Sequence, residues 1–201
     1  LEKVLDVALT KKADYADLYF EYRQNEGISP EEGMVKNCSQ STANGVGVRV
    51  LAEAKTGYAY TDDITIDKLE LAARTAHYIA QNQTSSMSVP VGQSRAEAHD
   101  LYSIKTPVND IALEQKVGLL YEIDKFARDL DARVKNVFVS LGSEYKVILI
   151  ASSQGIVIGD IQPLTRLNVT CIAEENGNRQ IGSFGGGGRV EFGFFVDSHD
   201  W

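Results

Sequence analysis

A chain of 201 residues, 43% hydrophobic and 24% charged, can bury the core of one large domain or two small ones. Its 28 acidic side chains against 20 basic ones give a net charge of −8 and a pI near 4.9. This argues against direct contact with nucleic acid or an anionic membrane, since both rest on Lys and Arg meeting phosphate. Only two cysteines, Cys38 and Cys171, argue against a disulfide framework and read as reduced thiols, and no apolar run reaches the ~18 residues of a membrane span. With no signal peptide visible, a cytoplasmic location is expected; Leu1 in place of Met reads as a trimmed start.

Residues 1–12 place Leu1, Val4, Leu5, Ala8 and Leu9 on one helical stripe. The period then drops to two. Leu18, Phe20 and Tyr22 alternate with Tyr19, Glu21 and Arg23, which predicts a half-buried strand. A second strand is expected over 34–40. Val46, Val48 and Val50 then form a hairpin with Tyr58-Ala59-Tyr60 through a loop at 54–57. Thr65 caps a helix over 66–82 with Ile66, Leu69, Ala73, Ala76 and Ala80 on one face. Residues 84–108 show no period and read as a linker.

Asn109 or Asp110 then caps a helix to about residue 131, striped by Leu113, Val117, Leu120, Ile123, Ala127 and Leu130. Strands are expected over 134–141, 145–151, 156–158 and 164–173. A turn at Asn176-Gly177 leads to another over 179–184. The order of elements repeats: helix, long strand, short strands, hairpin. Val48 precedes Glu53 by the same spacing as Val169 precedes Glu174. The fold class is therefore α+β, two related helix-plus-antiparallel-sheet units over 1–83 and 109–189, with internal duplication as the reading of their likeness.

Chemistry-bearing residues are scattered. His77, His99 and His199 include no pair at i, i+4, and His77 reads as a surface or partly packed helix residue. Cys38 and Cys171 read as small buried strand residues. Asp62-Asp63 and Glu174-Glu175 adjoin turns, and neighbours on a strand face opposite ways. Ser152-Ser153 reads as turn chemistry, without a nucleophile elbow. No catalytic and no metal-binding residue is assigned. The unusual feature is Gly182-Ser-Phe-Gly-Gly-Gly-Gly188-Arg189, five glycines in seven residues. A phosphate loop would need Lys and a hydroxyl where Arg189 and Val190 stand. A hinge, or a loop that another chain or a substrate approaches closely, are the other readings. Gly185, Gly186, Gly187, Gly188 and Arg189 are thus the candidate substrate- or interdomain-contact loop.

Segments 16–21, 45–50 and 55–62, with the stretch from Arg166 through Glu174-Glu175 to Gly185–Arg189, together resemble the TldD/PmbA family of metallopeptidases, historically called modulators of DNA gyrase. The resemblance covers nearly the whole chain, and the glycine run looks like the TldD branch. It implies an N-terminal domain over 1–189, with 190–201 leading to a metal-binding domain beyond. It also implies a zinc peptidase acting on unfolded or short peptides, paired with a TldE/PmbA-like paralogue or with itself. The family's zinc comes from a His-Glu-x-x-x-His helix absent from these residues, so no cofactor is expected in this chain and zinc is expected in the full-length protein. The alternatives are a free-standing interaction module, favoured if the chain ends naturally near Trp201, and a small-ligand or phosphate-binding domain using the glycine segment.

Overall fold

The computed structural model describes residues 1–10, 13–31, 34–82, 101–102 and 104–197. His99, His199 and most of the expected linker lie outside them. The elements run α1 (Glu2–Ala8), β1 (Tyr15–Glu31), β2 (Met34–Ala52), β3 (Lys55–Thr61), α2 (Ile66–Asn82), α3 (Leu113–Leu130), β4 (Val134–Ser152), β5 (Val157–Glu175), β6 (Asn178–Gly188) and α4 (Gly193–Val196). The six strands form an antiparallel sheet in the order β3-β2-β1-β4-β5-β6. The fold class is α+β as expected. Outward from the central β1/β4 pair, both halves show the same strand order.

Contacts divide the chain into two compact units. The first comprises Leu1–Arg23, Ala43–Leu101 and Val147–Ile161; the second takes Gln24–Thr42, Tyr102–Lys146 and the residues from Gln162. Strands β1, β2, β4 and β5 each pass from one unit to the other along their length. The expected breaks at Gly142-Ser143-Glu144 and over 159–163 do not end strands, whereas the turn expected at 152–155 does separate β4 from β5. Gly142 has open space where a Cβ would point, and β4 runs through it. Pro163 also lies within a strand. The ladder to β6 begins only at Thr165, so β5 has no partner on that side at the proline, which supplies no N–H.

In the first unit, Val46, Val48 and Val50 of β2 and Leu18 of β1 pack beneath Leu69, Ala72, Ala73, Ala76 and Ala80 of α2. The alanine face lets the helix come very close. A Cβ on Gly57 would stand 1.8 Å from the Ala76 carbonyl oxygen, so only glycine fits there. Ile66, expected on this face, is exposed at the helix start. His77 is buried rather than on the surface. Its Nδ1 donates to the Ala8 carbonyl at 3.0 Å and its Nε2 accepts from the Gln81 amide at 2.7 Å, tying α1 to α2.

In the second unit, Leu120 and Ala127 of α3 pack on Val137, Val139 and Leu141 of β4 with Leu167 of β5. Fully burying a leucine such as Leu120 contributes about 1.5–3 kcal/mol. The predicted stripe is wrong at both ends: Leu113 and Leu130 are 40% and 69% exposed, while Lys116 is buried. Lys116 reaches Glu26 of β1, whose side chain is 11% exposed. The helix starts at Leu113 with Ala112 as its N-cap and no capping side chain. Asn109 and Asp110 form a 3-10 turn before it.

The two outer hairpins close alike. Glu53 and Ala54 have φ of 47° and 65°, between the paired Ala52 and Lys55. Asn176 and Gly177 have φ of 50° and 79°, between Glu175 and Asn178. Each is a two-residue turn of the kind that matches strand twist. By turn position Glu53 therefore corresponds to Asn176, not Glu174, and the first turn is 53–54 rather than 54–57.

Candidate functional site

The glycine run is not a loop. Gly185 to Gly188 form the end of β6, an edge strand, with Gly185 opposite Asn168, Gly186 opposite Leu167, Gly187 opposite Arg166 and Gly188 opposite Thr165. Two of the glycines are explained by this hairpin. A Cβ on Gly187 would lie 2.1 Å from the Thr165 carbonyl oxygen, and its φ of 148° disfavours any side chain. A Cβ on Gly185 would lie 2.6 Å from Asn168 Oδ1 and 2.8 Å from the Leu167 carbonyl oxygen. At Gly182 and Gly186 a side chain would meet nothing within 4 Å. Those two are not required by contacts of the described residues.

Arg189 follows the strand and holds neighbouring chain. Its guanidinium lies 4.7 Å from the centroid of the Tyr102 ring and donates to the Pro163 carbonyl at 3.4 Å. Glu191 adds a second clasp, accepting from the amides of Lys105 and Thr106. The last described residues of the expected linker are thus fastened at the end of β6. Amides along a strand point alternately to either edge, so these glycines do not converge on one anion as a phosphate cradle requires.

The remaining chemistry-bearing residues stay dispersed. Cys38 is exposed on a stretch of β2 that precedes its pairing with β3, contrary to the buried reading; Cys171 is half-buried against the second core. Ser153 accepts from the Ala16 amide of β1 through Oγ at 3.1 Å, which ties the β4–β5 turn to β1, and Ser152 Oγ accepts from the Gln154 amide at 3.3 Å within that turn. Glu174 and Glu175 pair with Arg179 and Arg133 at 3.6 and 3.2 Å. Among the described residues no three of His, Cys, Asp and Glu are grouped to hold a metal ion.

On the first unit's sheet face away from α2, Asp17 accepts from Arg49 at 2.5 and 2.9 Å, and Arg49 sits 5.9 Å over the Tyr15 ring. The hydrogen bond to Asp17 raises the Arg49 pKa. Burial, then the Asp17 charge, raises that of Tyr15. Beside them Tyr19 donates to Glu21 at 2.9 Å; burial first and that bond second hold its phenol protonated above the usual range. Sequence reading missed this face, because alternation marks which residues leave the core but not which of them meet.

Residues 16–80 match PmbA/TldA metallopeptidase domain 1, and residues 106–200 match the PmbA/TldA metallopeptidase central domain. The chain belongs to the PmbA/TldD family. The metalloprotease TldD homologue of Haemophilus influenzae is 36% identical over 200 residues, covering 100% of this chain and 42% of that protein. Two PmbA/TldD-type structures share the fold at 16% identity. A modulator of a DNA gyrase from Thermotoga maritima superposes with a TM-score of 0.77 over 94% of this chain and 42% of its own. TldE from Thermococcus kodakarensis superposes with a TM-score of 0.73 over 98% of this chain and 44% of its own. The chain spans about two-fifths of the length of the relatives it matches. No helix among the described residues is long and apolar enough to cross a membrane.

Proposed function

We infer that this chain is the non-catalytic N-terminal part of a TldD-like zinc metallopeptidase that cleaves unfolded or short peptides in the cytoplasm. The observation that carries the reading is the pair of family domains, matched in order across 16–80 and 106–200, in a chain whose relative is named a metalloprotease. The zinc ligands belong to a His-Glu-x-x-x-His helix outside these residues, and zinc held there would activate a water at neutral pH. The described residues do not fit that role, since no ligand group converges among them. Residues 1–189 form the supporting domain and 190–201 lead toward the metal-binding one. The supporting domain shapes the peptide channel and contributes to pairing with a TldE/PmbA-like paralogue or a second copy.

The end of β6 is the surface assigned to that contact. Gly182 and Gly186 leave the strand bare where the fold of this chain tolerates a side chain, so bareness there serves something that approaches from outside. The experiment compares the 201-residue chain with the full-length protein, alone and with its paralogue. Full-length protein is expected to hold zinc through dialysis and cleave an unfolded peptide in a chelator-sensitive way. The 201-residue chain is expected to do neither. Chelator-sensitive cleavage by the 201-residue chain would overturn the division of labour. Gly186→Val is expected to leave the thermal midpoint unchanged while lowering full-length activity; unchanged activity removes β6 from the contact surface.

A further inference from the structure

The first unit carries a groove of about 330 Å³ on the sheet face away from α2. Gly57 faces the helix, so Tyr58 and Tyr60, one and three residues further along the strand, point the other way. Gly45 and Gly47 of β2 line the groove, with Tyr19 of β1, Tyr58 and Tyr60 of β3, and Asp62 just beyond β3. The Tyr58 phenol takes the space that a side chain at Gly47 would fill. A Cβ there would lie 2.3 Å from the Tyr58 hydroxyl, so its absence lets the phenol lie across β2.

The tyrosines are open, Tyr58 at 56% and Tyr60 at 79% exposure. Two other tyrosines carry an arginine over the ring, Arg49 on Tyr15 and Arg189 on Tyr102. No such cation covers Tyr58 or Tyr60 among the described residues. The charge of the lining is one-sided: it holds Glu21 and Asp62 and no Lys or Arg. Glu21 is engaged by Tyr19 and Arg23. The Asp62 carboxylate meets no donor among the described residues; only its backbone carbonyl is used, accepting from Asn44.

Open aromatic faces beside an unengaged carboxylate, with Gly45 bare and the Tyr58 ring lying over Gly47, suit a cation carried on a flexible stem. We propose that this groove binds the side chain of a Lys or Arg residue in an extended peptide, its stem over Gly45 and along the Tyr58 ring that covers Gly47, and its charge between Tyr60 and Asp62. The choice of a peptide rests on the peptidase reading above, but the site needs no metal and no cleavage.

The test is an NMR titration of the 201-residue chain with the blocked peptide Ala-Ala-Lys-Ala-Ala, its norleucine counterpart and its Nε-acetyl-lysine counterpart, following the Gly45 and Gly47 amides. The lysine peptide is expected to give saturable shifts there, with the neutral counterparts about tenfold weaker, the size of one cation–π contact with a partial ion pair. Tyr60→Leu and Asp62→Asn are each expected to weaken binding several-fold at an unchanged thermal midpoint. Equal binding of the norleucine peptide, or no shift at Gly45 and Gly47, overturns the proposal. Since cleavage is not measured, either result leaves the zinc assay of the full-length protein as a separate question.

Discussion

Adjacent glycines in β6 do different things, and substitution separates them. Gly187→Ala drives a Cβ into the Thr165 carbonyl at a φ that disfavours it, and is expected to cost about 2 kcal/mol in urea unfolding. Gly186→Ala meets open space and is expected to stay within about 0.5 kcal/mol of the parent. Matching losses from both would show that the strand is not placed as described. At the end of α3, Asp131 accepts from Arg133 through both carboxylate oxygens, at 2.6 to 3.1 Å. The guanidinium, with the Arg133 backbone amide, lowers the Asp131 pKa to about 2. The folded value lies below the unfolded one, so the contribution to stability is present above about pH 4. It is lost as pH falls through about 2. The group is on the surface, so the readout is its own titration by NMR. Arg133→Gln is expected to return the midpoint to the ordinary aspartate range.

At the scale of elements, α3 is docked by an ion pair as well as by leucine. Lys116→Ala strands the Glu26 carboxylate in a nearly dry site and is expected to cost about 3–5 kcal/mol. Lys116→Met with Glu26→Gln removes both charges and is expected to be close to neutral; urea unfolding of the two variants measures the difference. The hairpins offer a second contrast. Both turns hold two residues at positive φ, but only one uses Asn-Gly; the other uses Glu53-Ala54, pinned where the Glu53 amide donates to Asp14 at 2.8 Å. Ala54→Gly is expected to raise stability by about 1 kcal/mol, since alanine at φ of 65° is strained and glycine is not. An unchanged or lower thermal midpoint would sink that account. This turn was illegible because neither residue type signals left-handed backbone; Asn176-Gly177 does, and was read correctly. Gly142 and Pro163 are break signals that shorten the strands expected around them, yet Gly142 meets open space and Pro163 has no β6 partner, so β4 and β5 run through them.

For the whole molecule, a net charge of −8 predicts that the chain alone does not retain duplex DNA at physiological salt; salt-sensitive retention in a filter or mobility assay would contradict it. Composition, periodicity and the ordered motifs determined what depends on local chemistry: the α+β class, the helix over 66–82 and the one ending near 131, the hairpin pairings and the family. They reach this far because backbone propensity and the in-or-out choice of each side chain are written locally. Which outward residues meet was decided only by tertiary structure. His77 gained its partners from Ala8, 69 residues away along the chain, and Lys116 from Glu26, 90 away. The glycine run became an edge strand because β5 lay beside it. The tyrosine groove exists because register sets Gly47 opposite Tyr60 and Arg49 opposite Tyr58, and a pairing shifted by one residue would turn both tyrosines into the core.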